Sequence, residues 1–81
     1  MRHFYLTNKA GSKLMIHVED LREAFTAADG RHTVCVLKVE KKDGGDTYVL
    51  VNDTVEEMWA QAQEMKYEEI YRDDQGIKAR S

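Results

Sequence analysis

Apolar and polar residues alternate on both sides of a short break at Lys9-Ala10-Gly11. Phe4, Leu6, Leu14 and Ile16 fall on one face of an extended chain, and His3, Tyr5, Thr7, Lys13, Met15 and His17 fall on the other. A strict period of two predicts strands, because successive side chains of a strand point to opposite faces. A three-residue loop with Gly11 in the left-handed conformation pairs Leu6 with Leu14, Phe4 with Ile16 and His3 with His17. The parity is self-consistent, so this stretch reads as a β-hairpin.

Residues 17 to 28 are less regular. Val18, Leu21 and Phe25 have near-helical spacing, yet the segment is short and runs into Asp29-Gly30. It reads as one turn at Glu19 to Arg22 followed by a short strand through Phe25, with a two-turn helix as the rival. Asp29-Gly30 predicts a turn, since glycine accepts positive φ without steric penalty. The continuous run Thr33 to Leu37 predicts a strand covered on both faces. After a polar turn at Lys41 to Asp46, Thr47 to Val51 predicts its partner, and the two strands form the centre of a sheet. The apolar residues of this second hairpin are expected to divide into Val34, Val36, Val49 and Val51 on one face and Cys35, Leu37, Tyr48 and Leu50 on the other.

Thr54 followed three residues later by Glu57 is a capping box, with acidic residues in the first turn where the helix dipole favours them. Val55, Met58, Trp59, Ala62 and Met65 then form one helical stripe, read as core packed against the sheet. Tyr67, Ile70 and Tyr71 extend that helix along an edge of the body. From Arg72 onward apolar residues are too few to pack, which predicts a flexible tail. The fold expected is therefore α+β: a single domain over residues 1–71, with a small twisted, mainly antiparallel sheet of four to five strands packed by one C-terminal helix, and a tail over 72–81.

Composition narrows the function more than the fold. A chain of 81 residues, 42% hydrophobic and 33% charged, is folded rather than disordered, with a small core that association would help. A net charge of −3 argues against holding nucleic acid by charge alone. The single cysteine, Cys35, sits in an apolar run and reads as a small buried hydrophobe rather than a nucleophile. It allows no intramolecular disulfide, and no apolar stretch reaches membrane-spanning length. A cytoplasmic protein that does not contact membrane is the expectation.

Candidate chemistry is sparse. His3 and His17 face each other across the first hairpin, but two ligands do not close a zinc site and His32 belongs to another turn. Glu56, Glu57, Glu64, Glu68 and Glu69 fit the solvated side of a helix, and the glycines match no phosphate-cradling spacing. No catalytic, cofactor-binding or metal residue is assigned, and the protein is read as no enzyme. His3, Tyr5, Lys13, Met15 and His17 form the candidate interaction face. Because one helix covers one sheet face, a second subunit is expected over the other, making a homo-oligomer.

Leu6-Thr7, Gly11, Asp20-Leu21, Gly44-Gly45 and Thr54-Val55-Glu56-Glu57, in that order, resemble the small FlbD-like family of flagellar and motility proteins and similar short bacterial and phage proteins. The resemblance spans roughly residues 4 to 62, and the chain departs from the family by continuing from Met65 to Ser81. It implies a hairpin, a second hairpin and a closing helix, with no catalytic residues. The expected function is that of a non-enzymatic interaction or regulatory protein, related to motility or phage and acting on a protein partner. The alternative is a nucleic-acid-binding regulator using Tyr5, Lys13, His3 and His17.

Overall fold

The computed structural model describes residues 2–80. β1 (His3–Thr7) and β2 (Lys13–His17) pair antiparallel, with His3 opposite His17, Phe4 opposite Ile16 and Leu6 opposite Leu14. Gly11 takes φ 94° in the loop, where Asn8 closes the turn through bonds to Ser12 and Gly11. Alternation and turn chemistry agree here, so the register follows.

The chain then makes one 3-10 turn, Val18–Asp20, and enters β3 (Leu21–Thr26). The strand reading of this segment holds over the helical rival, and the strand starts earlier than its spacing suggests. β4 (Thr33–Glu40) and β5 (Asp46–Val51) form the second hairpin. Cys35 pairs with Val49 and Thr33 with Val51, whereas Val34 pairs with Leu50 and Val36 with Tyr48. Directly opposed residues share a face. The grouping is therefore Cys35, Leu37, Val49 and Val51 against Val34, Val36, Tyr48 and Leu50. This corrects the parity expected for β5: the register depends on loop closure and on an irregularity between Leu37 and Glu40, which composition does not reveal.

α1 (Val55–Met65) begins at Thr54 with both halves of the capping box in place. Thr54 Oγ1 accepts from the Glu57 N–H at 3.1 Å, and the Thr54 N–H donates to the Glu57 carboxylate at 3.3 Å. The helix does not run on through Tyr67 to Tyr71. Lys66 adopts a left-handed φ of 55°, and the Lys66 and Tyr67 N–H groups turn back to the Gln63 and Ala62 carbonyls. That geometry ends a helix. Trp59 is half-buried, packs against the core cluster, and shares a hollow with Tyr67, Ile70 and Arg80 of the segment after the helix.

The largest departure from expectation lies in the stretch read as a tail. β6 (Ile70–Arg72) and β7 (Gly76–Ala79) form a third hairpin. β7 inserts beside β3, giving a five-stranded antiparallel sheet in the order β5-β4-β3-β7-β6. The architecture is α+β, with seven strands in two sheets and one helix among the described residues. The helix is followed by strands, so it is not C-terminal, and the expected boundary at residue 71 cuts through β6. Ile77 is completely buried and Ile70 nearly so, and these two side chains anchor a segment otherwise held by backbone pairing. The turn is organised by Asp73, whose carboxylate accepts from the Gln75 and Gly76 N–H groups and pairs with Lys78 at 3.1 Å. The Gln75 N–H first, and then the Lys78 ammonium, hold this carboxyl below its usual range. Its contribution is thus present above the ordinary carboxylate pKa and lost as pH falls through the lowered one.

The core lies between the first hairpin, α1 and one face of the large sheet. Phe4, Leu6 and Ile16 enter from the hairpin, Val55, Met58 and Ala62 from the helix, and Leu21, Ala24, Cys35, Val51 and Ile77 from the sheet. Each fully buried large side chain in this set contributes about 1.5–3 kcal/mol relative to exposure. The sheet's opposite face carries Phe25, Val34 and Leu50, half-buried, with Val36 buried beside them and Tyr48 exposed under the Lys41 ammonium.

Gly76 sets how closely β7 approaches β3. It has φ 151°, and a Cβ built on it would lie 2.0 Å from the Ala24 carbonyl oxygen. Gly76→Ala should therefore destabilise the protein by about 2–4 kcal/mol in urea denaturation, combining backbone strain with overpacking. Gly30 also has positive φ but faces open space, so Gly30→Ala should cost about 1 kcal/mol. Equal losses at the two positions would mean that the close approach to Ala24 is not made.

Candidate functional site

All five residues of the candidate interaction face lie on the outer side of the first hairpin. The Tyr5–Met15 cross-strand pair stands at its middle, 63% and 60% exposed. Lys13 is exposed at one end opposite Thr7, and His3 and His17 are half-buried at the other. The two imidazole rings meet edge to face with centroids 5.1 Å apart, and the His3 ring lies 6.4 Å from that of Tyr5. His32 is elsewhere, held by Asp29 at 2.5 Å in the turn before β4. Bonds from the His32 ring and from the Arg31 and His32 N–H groups hold the Asp29 carboxyl well below its usual range. Among the described residues no cluster of three or more His, Cys, Asp or Glu is placed to hold a metal ion, and no helix is long and apolar enough to cross a membrane.

Two adjoining hollows share Tyr5 as a wall. One, of about 640 Å³, is lined by Tyr5, Leu6, Thr7, Lys13, Leu14 and Met15. The other, of about 370 Å³, is lined by Arg2, His3, Tyr5, Gln61, Glu64 and Met65. Sequence reasoning missed Arg2, Gln61 and the half-buried Met65 as members of this surface. Gln61 resembles any polar residue on a helix, and Met65 belongs to a stripe that pattern alone assigns wholly to the core.

Charge was a readable signal. Residues 1–18 hold Arg2, Lys9 and Lys13 and no carboxylate, in a chain whose net charge is −3. Among the described residues Glu64 is the one carboxylate lining either hollow. The hairpin is therefore a cationic, partly apolar pole on an acidic protein.

The two edges of the hairpin are treated differently. Ladder bonds continue from the Asn8 N–H to Ser12 at one end and from the Val18 N–H to Arg2 at the other. Their alternation puts the β1–β2 bonds at even-numbered residues and turns the odd-numbered backbone groups outward. On β1 those outward groups are taken. The Tyr5 N–H donates to Gln61 Oε1 at 2.8 Å, and Gln61 Nε2 donates to the Tyr5 carbonyl at 3.0 Å. The Thr7 N–H donates to Asp53 Oδ1 at 2.7 Å, and the Thr7 carbonyl accepts from the Asn52 N–H at 2.8 Å. A bridge between Asn8 and Val51 then joins the hairpin to β5. On β2 the outward groups of Lys13, Met15 and His17 have no such partner among the described residues.

Cys35 lies outside this surface. It is completely buried, and its Sγ donates to Met58 Sδ at 3.8 Å. Burial, aided by the Asp53 charge, pushes its thiol up to about 12, which leaves essentially no thiolate at neutral pH.

Gln61 acts as a one-residue strand for β1, and removing it should be measurable. Gln61→Ala should cost about 1–2 kcal/mol for two lost hydrogen bonds and should speed amide exchange at Tyr5. Unchanged exchange at Tyr5 would show that water, not this side chain, satisfies that edge.

No family model matches the sequence, and no curated protein and no solved structure matches it.

Proposed function

We propose that this is a non-enzymatic interaction protein that works by protein–protein contact, with the outer face of the first hairpin presented to its partner. The observation that carries this reading is the Tyr5–Met15 pair. Two large side chains are held in water on a strand pair whose other face, Phe4, Leu6 and Ile16, is buried. Exposed aromatic and methionine side chains on a rigid scaffold are the kind of surface that supplies binding energy in protein interfaces. The resemblance of the turn and cap motifs to FlbD-like proteins supports a role of the same regulatory kind, in motility or in a phage.

Site-specific photo-crosslinking tests this. Benzoylphenylalanine in place of Tyr5 or Met15 should yield a discrete cross-linked product with another protein in cells of the source organism. The same group in place of Asp43, in the exposed turn between β4 and β5, should not. Identical products from all three positions, or none from the hairpin, would overturn the reading.

Self-association through the open face of the large sheet is a second reading. It is favoured by Tyr48, 59% exposed beside the half-buried Phe25, Val34 and Leu50. Sedimentation at micromolar concentration should then show a dimer or larger, returned to monomer by Tyr48→Lys. A clean monomer for the unmodified chain would overturn it.

A further inference from the structure

We infer that the partner segment is an extended acidic peptide that adds as a third strand to the free edge of β2. This deepens the interaction reading above and rests on it. Three independent observations converge on this one edge.

The first is backbone chemistry. The N–H and C=O groups of Lys13, Met15 and His17 point away from β1, because the ladder bonds fall at the even-numbered residues between them. An edge strand with unpaired donors and acceptors is a template for another strand. The contrast with β1 matters: its equivalent groups are occupied by Gln61, Asp53 and Asn52, so the described residues close one edge of the hairpin and leave the other open.

The second is charge. Lys13 stands on the open strand, and no carboxylate lies in residues 1–18; Lys9 in the adjoining loop donates its N–H to Leu50 on the β5 side, and the Arg2 guanidinium lies over the Tyr67 ring. An acidic strand meets complementary potential here and would be repelled by the rest of the molecule. A second copy pairing through β2 would bring two cationic hairpins together, with Lys13 opposite His17 if the pair centres on Met15. That arrangement is disfavoured.

The third is the side-chain surface. Met15 of the Tyr5–Met15 pair stands on the open strand, so the residue of an added strand that lies opposite it could place an apolar side chain against it, while the residues two positions away face Lys13 and His17. A nucleic acid would use the cationic charge but not the alternating backbone donors and acceptors. The edge therefore favours peptide over nucleic acid.

The test uses the intact protein and four fluorescent probes. These are a peptide of about seven residues whose outward-face positions, every second residue, put leucine opposite Met15 and aspartate opposite Lys13 and His17, with threonine between them, long enough to span β2; the same peptide N-methylated on the amides facing β2; a version with lysine for aspartate; and a single-stranded oligonucleotide. Binding is read by anisotropy, and amide exchange by NMR. The acidic peptide should bind, weaken with salt, and slow exchange at the Lys13, Met15 and His17 amides. N-methylation should weaken it by about tenfold or more. Met15→Pro, which removes an outward N–H, should do likewise. Lys13→Glu, which leaves the strand backbone intact, should weaken the acidic peptide and not the lysine one.

Binding without protection of those three amides would overturn the inference. So would equal binding of the N-methylated peptide, preference for the oligonucleotide or the lysine peptide, or no binding by the acidic peptide. A cross-linked product at position 5 together with any of these results would leave the interaction reading standing and refute strand addition.

Discussion

The contact between Gly76 and the Ala24 carbonyl decides how this small chain completes its core. Only a residue without Cβ fits there, and once β7 lies beside β3 the Ile77 side chain enters the interior. A chain of 81 residues has little apolar surface to spare, so a buried isoleucine and three further cross-strand pairings matter. β6 then pairs with β7, which places Ile70 beneath the end of the helix and gives Trp59 and Tyr67 something to pack against. Without that approach the sheet would end at β3, with an unpaired edge and a gap beside Ala24.

The same need to satisfy backbone explains the hairpin. β1 lies against the helix, where an unpaired N–H or C=O would be costly. Gln61 supplies a primary amide with the donor and acceptor of a peptide group, and Asp53 with Asn52 does the same at Thr7. These bonds fix the orientation of the hairpin relative to α1 and β5, and hence the direction in which Tyr5 and Met15 face. β2 needs none of them because water reaches it. The asymmetry between the two edges is thus a consequence of packing, and it leaves one edge available.

What could be read from residues was local. Strict alternation and Gly11 are enough for the first hairpin, and Thr54 with Glu57 is enough for the helix start, because each signal lies within a few residues and one mechanism explains it. The parity of β5 was not legible, since it depends on a loop from Lys41 to Gly45 and an irregularity near Glu40 that no alternation encodes. The third hairpin was hidden by polarity: Asp73, Asp74 and Gln75 look like a tail. Yet Ile70 to Arg72 and Gly76 to Ala79 flank an Asp-to-Gly turn, a strand–turn–strand signal that low apolar content masks. That His3, Tyr5, Lys13, Met15 and His17 share the outer side of the first hairpin was legible from parity. Gln61 and Arg2 were not, because only the tertiary fold brings them beside Tyr5.

The charge distribution adds one more constraint. Arg2 and Lys13 lie near opposite ends of a hairpin about 17 Å long at the usual rise per residue. That separation exceeds the screening length of about 8 Å at physiological salt, so their mutual repulsion costs the folded state little. A ligand approaching from a distance meets the hairpin as one positive pole against an acidic body, which favours encounters in one orientation. Once an acidic strand lies along β2, Lys13 on that strand comes beside its carboxylates, where Coulombic attraction is strongest.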